Sequence, residues 1–233
     1  MRQKISMLTA YDRKTAKLLE KAKIDIILVG DSYGMVVLGY ENTKKVSLEQ
    51  MIKITKDVKK GAPTSFIIFD MPYKSYETKE QALNNAKKVL KETKCQAIKI
   101  EGHPKIVQFL TQHKIKVMGH TGLKPQFVNK FVIKGKTQQS AEKIYLEAKN
   151  LEKAGAFAIV LECIPEILAK KITENLKIPT IGIGAGKFTD GQVLVTHDLL
   201  GWKGGRKLSF VEKVEGETDL EKIKNFIKKV KKS

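Results

Sequence analysis

Short apolar runs rich in β-branched residues alternate along the chain with longer segments in which apolar positions recur every three or four residues. A strand buried on both faces produces the first pattern and an amphipathic helix the second. Eight apolar runs lie near Ile5 to Ala10, Ile24 to Val29, Ser65 to Phe69, Gln96 to Ile100, Lys116 to Gly119, Phe157 to Leu161, Thr180 to Ile183 and Gln192 to Thr196. Helical spacing covers Asp12 to Lys23, Ser47 to Lys60, Thr78 to Lys91, Pro104 to His113, Gln139 to Ala154 and Pro165 to Leu176. Thr78 with Gln81 is a capping-box pair, and Pro104 and Pro165 suit a first helical turn. From Thr218 to Lys231 the residues Leu220, Ile223, Phe226, Ile227 and Val230 form one apolar stripe, which predicts a packing helix with a lysine-rich outer face. Eight strands with interposed helices in 233 residues predict an α/β protein, a compact (β/α)8 TIM barrel forming a single domain over residues 1–233. A doubly wound open sheet is the alternative.

This frame gives meaning to the polar residues at the strand ends. The stretch VGDSYGM places Asp31 behind the second apolar run, Asp70 follows the third, Lys99 and Glu101 belong to the fourth, His120 follows the fifth and Glu162 the sixth. Catalytic residues of barrels gather at the carboxyl ends of strands. One acid there means little, but five consecutive strands with ionisable ends are hard to explain by chance. Lys99 and Glu101 are two positions apart, so on a strand both side chains point the same way. Asp31, Asp70 and Glu101 offer hard oxygen donors without the cysteine and histidine partners that zinc favours, which makes Mg²⁺ the natural cation. The competing reading is that these acids cap helices through N-terminal amides. His120 could be a base, a substrate ligand or a hydrogen-bonded structural residue. His103, His113 and His197 have no partner at metal-ligand spacing and read as structural or surface groups. The run IGIGAG at Ile181 to Gly186 is not a GxGxxG fingerprint and fits close backbone approach in a barrel loop.

Composition narrows the functional classes. The hydrophobic content of 42% with 30% charged residues supports a packed core, and no apolar run nears the ~20 residues that span a bilayer. A soluble, cytoplasmic protein that meets no membrane is expected. Cys95 and Cys163 form no CxxC pair, and two buried thiols are the simplest reading. A net charge of +19 raises the possibility of nucleic-acid binding. Against it, only Arg2, Arg13 and Arg206 are arginines and the lysines are spread over nearly every helical segment, as solvated helix faces would be.

The residues also resemble a known family. MLTAYD, LVGDSYGM, GAPTSFIIFDMP, IKIEG, GHTGLKPQ, LEKAGAFAIVLECIP, IPTIGIGAG and DGQVLVTHDLLG, in this order and over nearly the whole chain, are similar to the ketopantoate (3-methyl-2-oxobutanoate) hydroxymethyltransferase family. The resemblance implies a (β/α)8 barrel that uses Mg²⁺ and the co-substrate 5,10-methylenetetrahydrofolate. It would transfer a hydroxymethyl group to 3-methyl-2-oxobutanoate, through a Mg²⁺-stabilised enolate, giving 2-dehydropantoate for pantothenate synthesis. By the same resemblance Asp31 and Asp70 hold the metal, with Glu101 completing its environment. Asp31, Ser32, Asp70 and Lys99 contact the oxo acid, His120 is a secondary candidate there, and Glu162 accepts the proton. A large homo-oligomer acting on small molecules is implied. The chain departs from the family at Lys124, where Thr is common, and in a shorter stretch from Asn129 to Thr137. A Mg²⁺-dependent carbon–carbon bond enzyme of the phosphoenolpyruvate mutase and isocitrate lyase type is the alternative.

Overall fold

The computed structural model describes residues 4–128, 131–206, 208–211 and 214–233. Eight parallel strands close into a barrel in sequence order: β1 (Ile5–Thr9), β2 (Ile26–Val29), β3 (Phe66–Asp70), β4 (Ala97–Glu101), β5 (Val117–Gly122), β6 (Ala158–Glu162), β7 (Thr180–Ile183) and β8 (Gly191–Leu194). Pairing of Ile5 with Gly191 and of Leu8 with Leu194 closes the ring. The open-sheet alternative is thereby excluded. Around the barrel run α1 (Arg13–Lys21), α2 (Tyr33–Val36), α3 (Leu48–Gly61), α4 (Lys79–Thr93), α5 (Pro104–Gln112), α6 (Gln138–Lys153), α7 (Glu166–Asn175), α8 (Thr196–Leu200) and α9 (Asp219–Lys232). Among the described residues no helix is long and apolar enough to cross a membrane.

Local chemistry sets the helix ends. Asp12 accepts from Thr15 N, and Ser47 with Gln50 and Thr218 with Glu221 form reciprocal capping boxes. Thr78 accepts from Gln81 N as expected, but the Gln81 side chain reaches one residue further back, to Glu77 N at 2.8 Å. Pro165 stands at the cap of α7 rather than in its first turn. The apolar stripe of α9 buries Ile223, Phe226 and Val230 against the barrel, and Lys231 ties the helix to Asp25 at 2.6 Å.

The period of two along a strand divides the apolar residues into two cores. Met7, Ile26, Leu28, Ile68, Ala97, Met118, Ala158, Val160, Ile181 and Val193 fill the barrel interior, and the alternate positions, such as Leu8, Ile27, Ile67 and Ile98, pack beneath the helices. The same parity has a consequence for polar residues. Asp70 shares the inward row of Ile68, Lys99 and Glu101 that of Ala97, His120 that of Met118, and Glu162 that of Val160. Each row is apolar below and ionisable at its carboxyl end.

Strands β3 to β6 extend past the apolar runs that announce them, so Asp70, Glu101, His120 and Glu162 are strand residues rather than loop residues. Their backbones remain paired, Asp70 with Lys99, Glu101 with His120 and Glu162 with Gly122. Residues on strands are held more precisely than residues on loops. By contrast, Thr196, expected in the last strand, opens α8.

Close packing of α1 on α3 depends on Gly61, where an added Cβ would lie 2.2 Å from the Arg13 carbonyl oxygen. Gly61→Ala is expected to cost roughly 1–3 kcal/mol through overpacking. A fall in thermal midpoint of about 2–4 °C per kcal/mol should follow in calorimetry.

Candidate active site

At the barrel's carboxyl end Asp31, Ser32, Asp70, Lys99, Glu101 and Glu162 line one cavity of about 80 Å³. Asp31 sits between β2 and α2, where its backbone N–H donates to Asp70 Oδ2 at 3.3 Å. Asp70 Oδ1 accepts from Lys99 Nζ at 2.7 Å, and Lys99 Nζ lies 4.0 Å from Glu101 Oε1. Ser32 shares a 2.7 Å hydrogen bond with the Tyr11 hydroxyl. Burial opposes the Lys99 charge, but Asp70, Glu101 and Asp31 outweigh that penalty and hold its pKa above the ordinary lysine value.

The carboxylates Asp31, Asp70, Glu101 and Glu162 outnumber the cations lining this space, Lys99 and Arg206. Burial and the neighbouring Asp70 push Asp31 up to about 7. Burial likewise raises Glu101 well above the glutamate range. An all-oxygen donor set that resists its own negative charge suits a hard divalent cation. Among the described residues no three His, Cys, Asp or Glu side chains converge closely enough to hold an ion by themselves. The Asp31 and Asp70 pair still fits Mg²⁺, which commonly takes one or two carboxylates and fills its shell with water and substrate oxygens.

His120 stands behind the cavity lining. Its Nδ1 lies 3.6 Å from Glu101 Oε1 and its Nε2 lies 3.4 Å from Glu162 Oε2, and both nitrogens are buried. Burial, then Lys99 and Lys124, lowers its pKa well below the usual histidine value, so these contacts are not ion pairs. Neutral imidazole carries one donor and one acceptor, so His120 can serve as either toward the two flanking carboxyls. Burial pushes Glu162 up to about 8, against the opposing charges of Lys99 and Arg206. His197 packs between the Tyr11 and Trp202 rings, and His103 caps α5 beside Tyr76 and Phe127.

Gln126 went unnoticed in the sequence. It is fully buried in the short 3₁₀ turn Pro125–Phe127 after β5, and its amide reaches Asp31, Met71 and Tyr76 while its backbone N–H donates to Glu101 Oε2 at 3.1 Å. A glutamine behind a proline looks like loop surface, and no spacing rule marks it for burial. Lys124, two residues earlier, pairs with Glu147 of α6 at 2.7 Å. Within the stretch Asn129 to Thr137, Asn129 and Lys130 lie outside the described residues. Cys95 is buried and Cys163 half-buried, and both are free thiols. Gly186 permits the expected close approach after β7, since its φ is +74° and an added Cβ would lie 2.3 Å from Glu166 Cγ.

Barrel and acid-lined mouth together define a TIM-barrel enzyme. The profile of the family described as ketopantoate hydroxymethyltransferase matches residues 1–233, and the chain belongs to that family. It is 50% identical to the 3-methyl-2-oxobutanoate hydroxymethyltransferase of Thermoanaerobacter sp. (strain X514) over 228 residues, covering 95% of this chain and 82% of that protein. The enzyme of the same name from Thermotoga maritima is 50% identical over 240 residues, covering 99% of this chain and 88% of its own. Among solved structures, 2,3-dimethylmalate lyase, a PEP mutase/isocitrate lyase superfamily member, superposes with a TM-score of 0.66 at 15% identity, covering 85% of this chain and 78% of that one. At that identity the likeness is one of fold.

Proposed function

We propose that this chain transfers the one-carbon unit of 5,10-methylenetetrahydrofolate to 3-methyl-2-oxobutanoate, forming 2-dehydropantoate. The observation that carries this reading is the placement of Glu162 at the inward end of β6, facing the cavity that Asp31, Asp70 and Lys99 also line. A base thus stands across a small space from groups suited to a cation and an oxo acid. Asp31 and Asp70 would hold Mg²⁺, with Glu101 behind them. Bound there, the cation would polarise the keto carbonyl and make the adjacent C3 proton more acidic.

Water adds to the donor methylene, and cleavage of both of its carbon–nitrogen bonds releases tetrahydrofolate and leaves the one-carbon unit at the oxidation level of formaldehyde. Glu162 takes the C3 proton, the C3 electron pair attacks that carbonyl carbon as its C=O π bond opens, and the oxygen takes up a proton to become the hydroxyl. Lys99, fixed by Asp70, keeps a positive charge beside the anion that grows on the oxo acid, which is where preorganised charge is most effective. Ser32, oriented by Tyr11, offers a hydroxyl to the substrate. The narrow cavity suits the small acid, which leaves the bulky folate to approach from the open mouth.

Purified protein with Mg²⁺, 3-methyl-2-oxobutanoate and methylenetetrahydrofolate should yield 2-dehydropantoate by mass spectrometry. Absence of that product, with cleavage of a 2-alkylmalate instead, would move the chain to the lyase chemistry of its structural neighbours.

A further inference from the structure

We propose that Gln126 is a positioning residue for Asp31: its carboxamide fixes the plane of that carboxylate and so preorganises the aspartate pair for a divalent cation. The inference rests on the proposed metal role of Asp31 and Asp70. It starts from a hydrogen-bond constraint. The Gln126 Nε2 lies 2.9 Å from the Met71 carbonyl oxygen, and a carbonyl oxygen can only accept. The nitrogen of the amide must therefore be on that side, and its oxygen on the other, where it accepts from the Tyr76 hydroxyl. With both faces assigned, the second Nε2 proton is left for Asp31 Oδ2, also at 2.9 Å. Asp31 is thus held as an acceptor by a donor that cannot turn round.

Gln126 itself has little freedom. Its backbone N–H is bound to Glu101 Oε2, its side chain is fully buried, and Pro125 fixes the preceding φ. One residue therefore joins Asp31 to Glu101 and ties both to Met71, the residue after Asp70. Groups that orient a metal-binding side chain from behind are worth about 10–100-fold in metal affinity when removed.

The test uses Mn²⁺ alone, with free Mn²⁺ read by electron paramagnetic resonance in the absence of substrate. Wild-type protein should bind, and Gln126→Leu should bind about 10–100-fold more weakly. Its activation constant for Mg²⁺ should rise by the same factor while kcat at saturating Mg²⁺ falls far less, a split that general loosening of the fold would not give. Tyr76→Phe removes only the hydroxyl that helps to orient the amide, so it should weaken Mn²⁺ binding in the same direction by a smaller factor, and it serves where Gln126→Leu does not fold. Wild-type Mn²⁺ affinity in a folded Gln126→Leu, or in Tyr76→Phe if that is the only folded variant, overturns the proposal. Failure of the wild-type protein to bind Mn²⁺ overturns the metal reading itself, and is told apart because no substitution is involved.

Discussion

Glu162→Gln is expected to retain the oxo acid and lose most of the enolisation step. In D₂O with Mg²⁺ and no folate, wild-type protein should exchange the C3 hydrogen of 3-methyl-2-oxobutanoate for deuterium, because proton removal precedes carbon transfer. A positioned general base typically contributes ~10²–10⁴-fold, and the variant should lose a factor in that range by proton NMR. The pH profile has a definite sign. Burial pushes Glu162 up to about 8, and only the deprotonated carboxylate can accept the C3 proton. Wild-type exchange should therefore rise with pH and level off above about 8, and that rise should vanish in Glu162→Gln. Glutamine keeps the shape of the side chain 3.4 Å from His120, so binding should survive. Exchange at the wild-type rate would assign the base elsewhere, and His120 would be the next group to test.

Why Glu162 could be picked out from the sequence is itself a physical question. Its strand is read from AIVL, an apolar run that only a doubly buried strand requires, and the acid after it occupies the inward parity of Ala158 and Val160. The same logic exposed Asp70, Lys99 and Glu101. The barrel was legible because every strand must fill one interior and meet one helical layer, a constraint that leaves a continuous trace in the sequence. What was hidden lay where backbone pairing or loop geometry decided the outcome. Strand β5 continues through His120 to Gly122 because its backbone keeps its partners in β6, and no apolar side chain announces that. Gln126 and Arg206 reach the site from a short 3₁₀ turn and an irregular segment, and their contacts are set by three-dimensional closure rather than by any period. Parity also could not tell that His120 would stand behind two acids instead of lining the cavity.

Asp70→Asn should separate the cation's role from that of the surrounding charge. The change keeps the size of the side chain and removes a charge that helps to push Asp31, Glu101 and Glu162 upward, so those carboxyls are relieved rather than stressed and the fold should hold. Lys99 loses its 2.7 Å anionic partner but keeps Glu101 at 4.0 Å. Metal affinity is a different matter, because a neutral amide oxygen is a far weaker partner for a hard cation than a carboxylate. The loss of Mn²⁺ affinity and of Mg²⁺-dependent turnover should exceed the about 10–100-fold typical of groups that only orient a ligand. Lys99→Met supplies the contrast. It strands Asp70 and Glu101 in a buried site, and breaking such a pair by removing one partner costs about 3–5 kcal/mol, so its thermal midpoint should fall markedly. Asp70→Asn should therefore be folded and metal-deficient, whereas Lys99→Met should be unstable without metal and regain part of its midpoint when Mg²⁺ is added. Unchanged Mg²⁺ activation in a folded Asp70→Asn would remove Asp70 from the metal site, and would leave its contact with Lys99 as a structural ion pair.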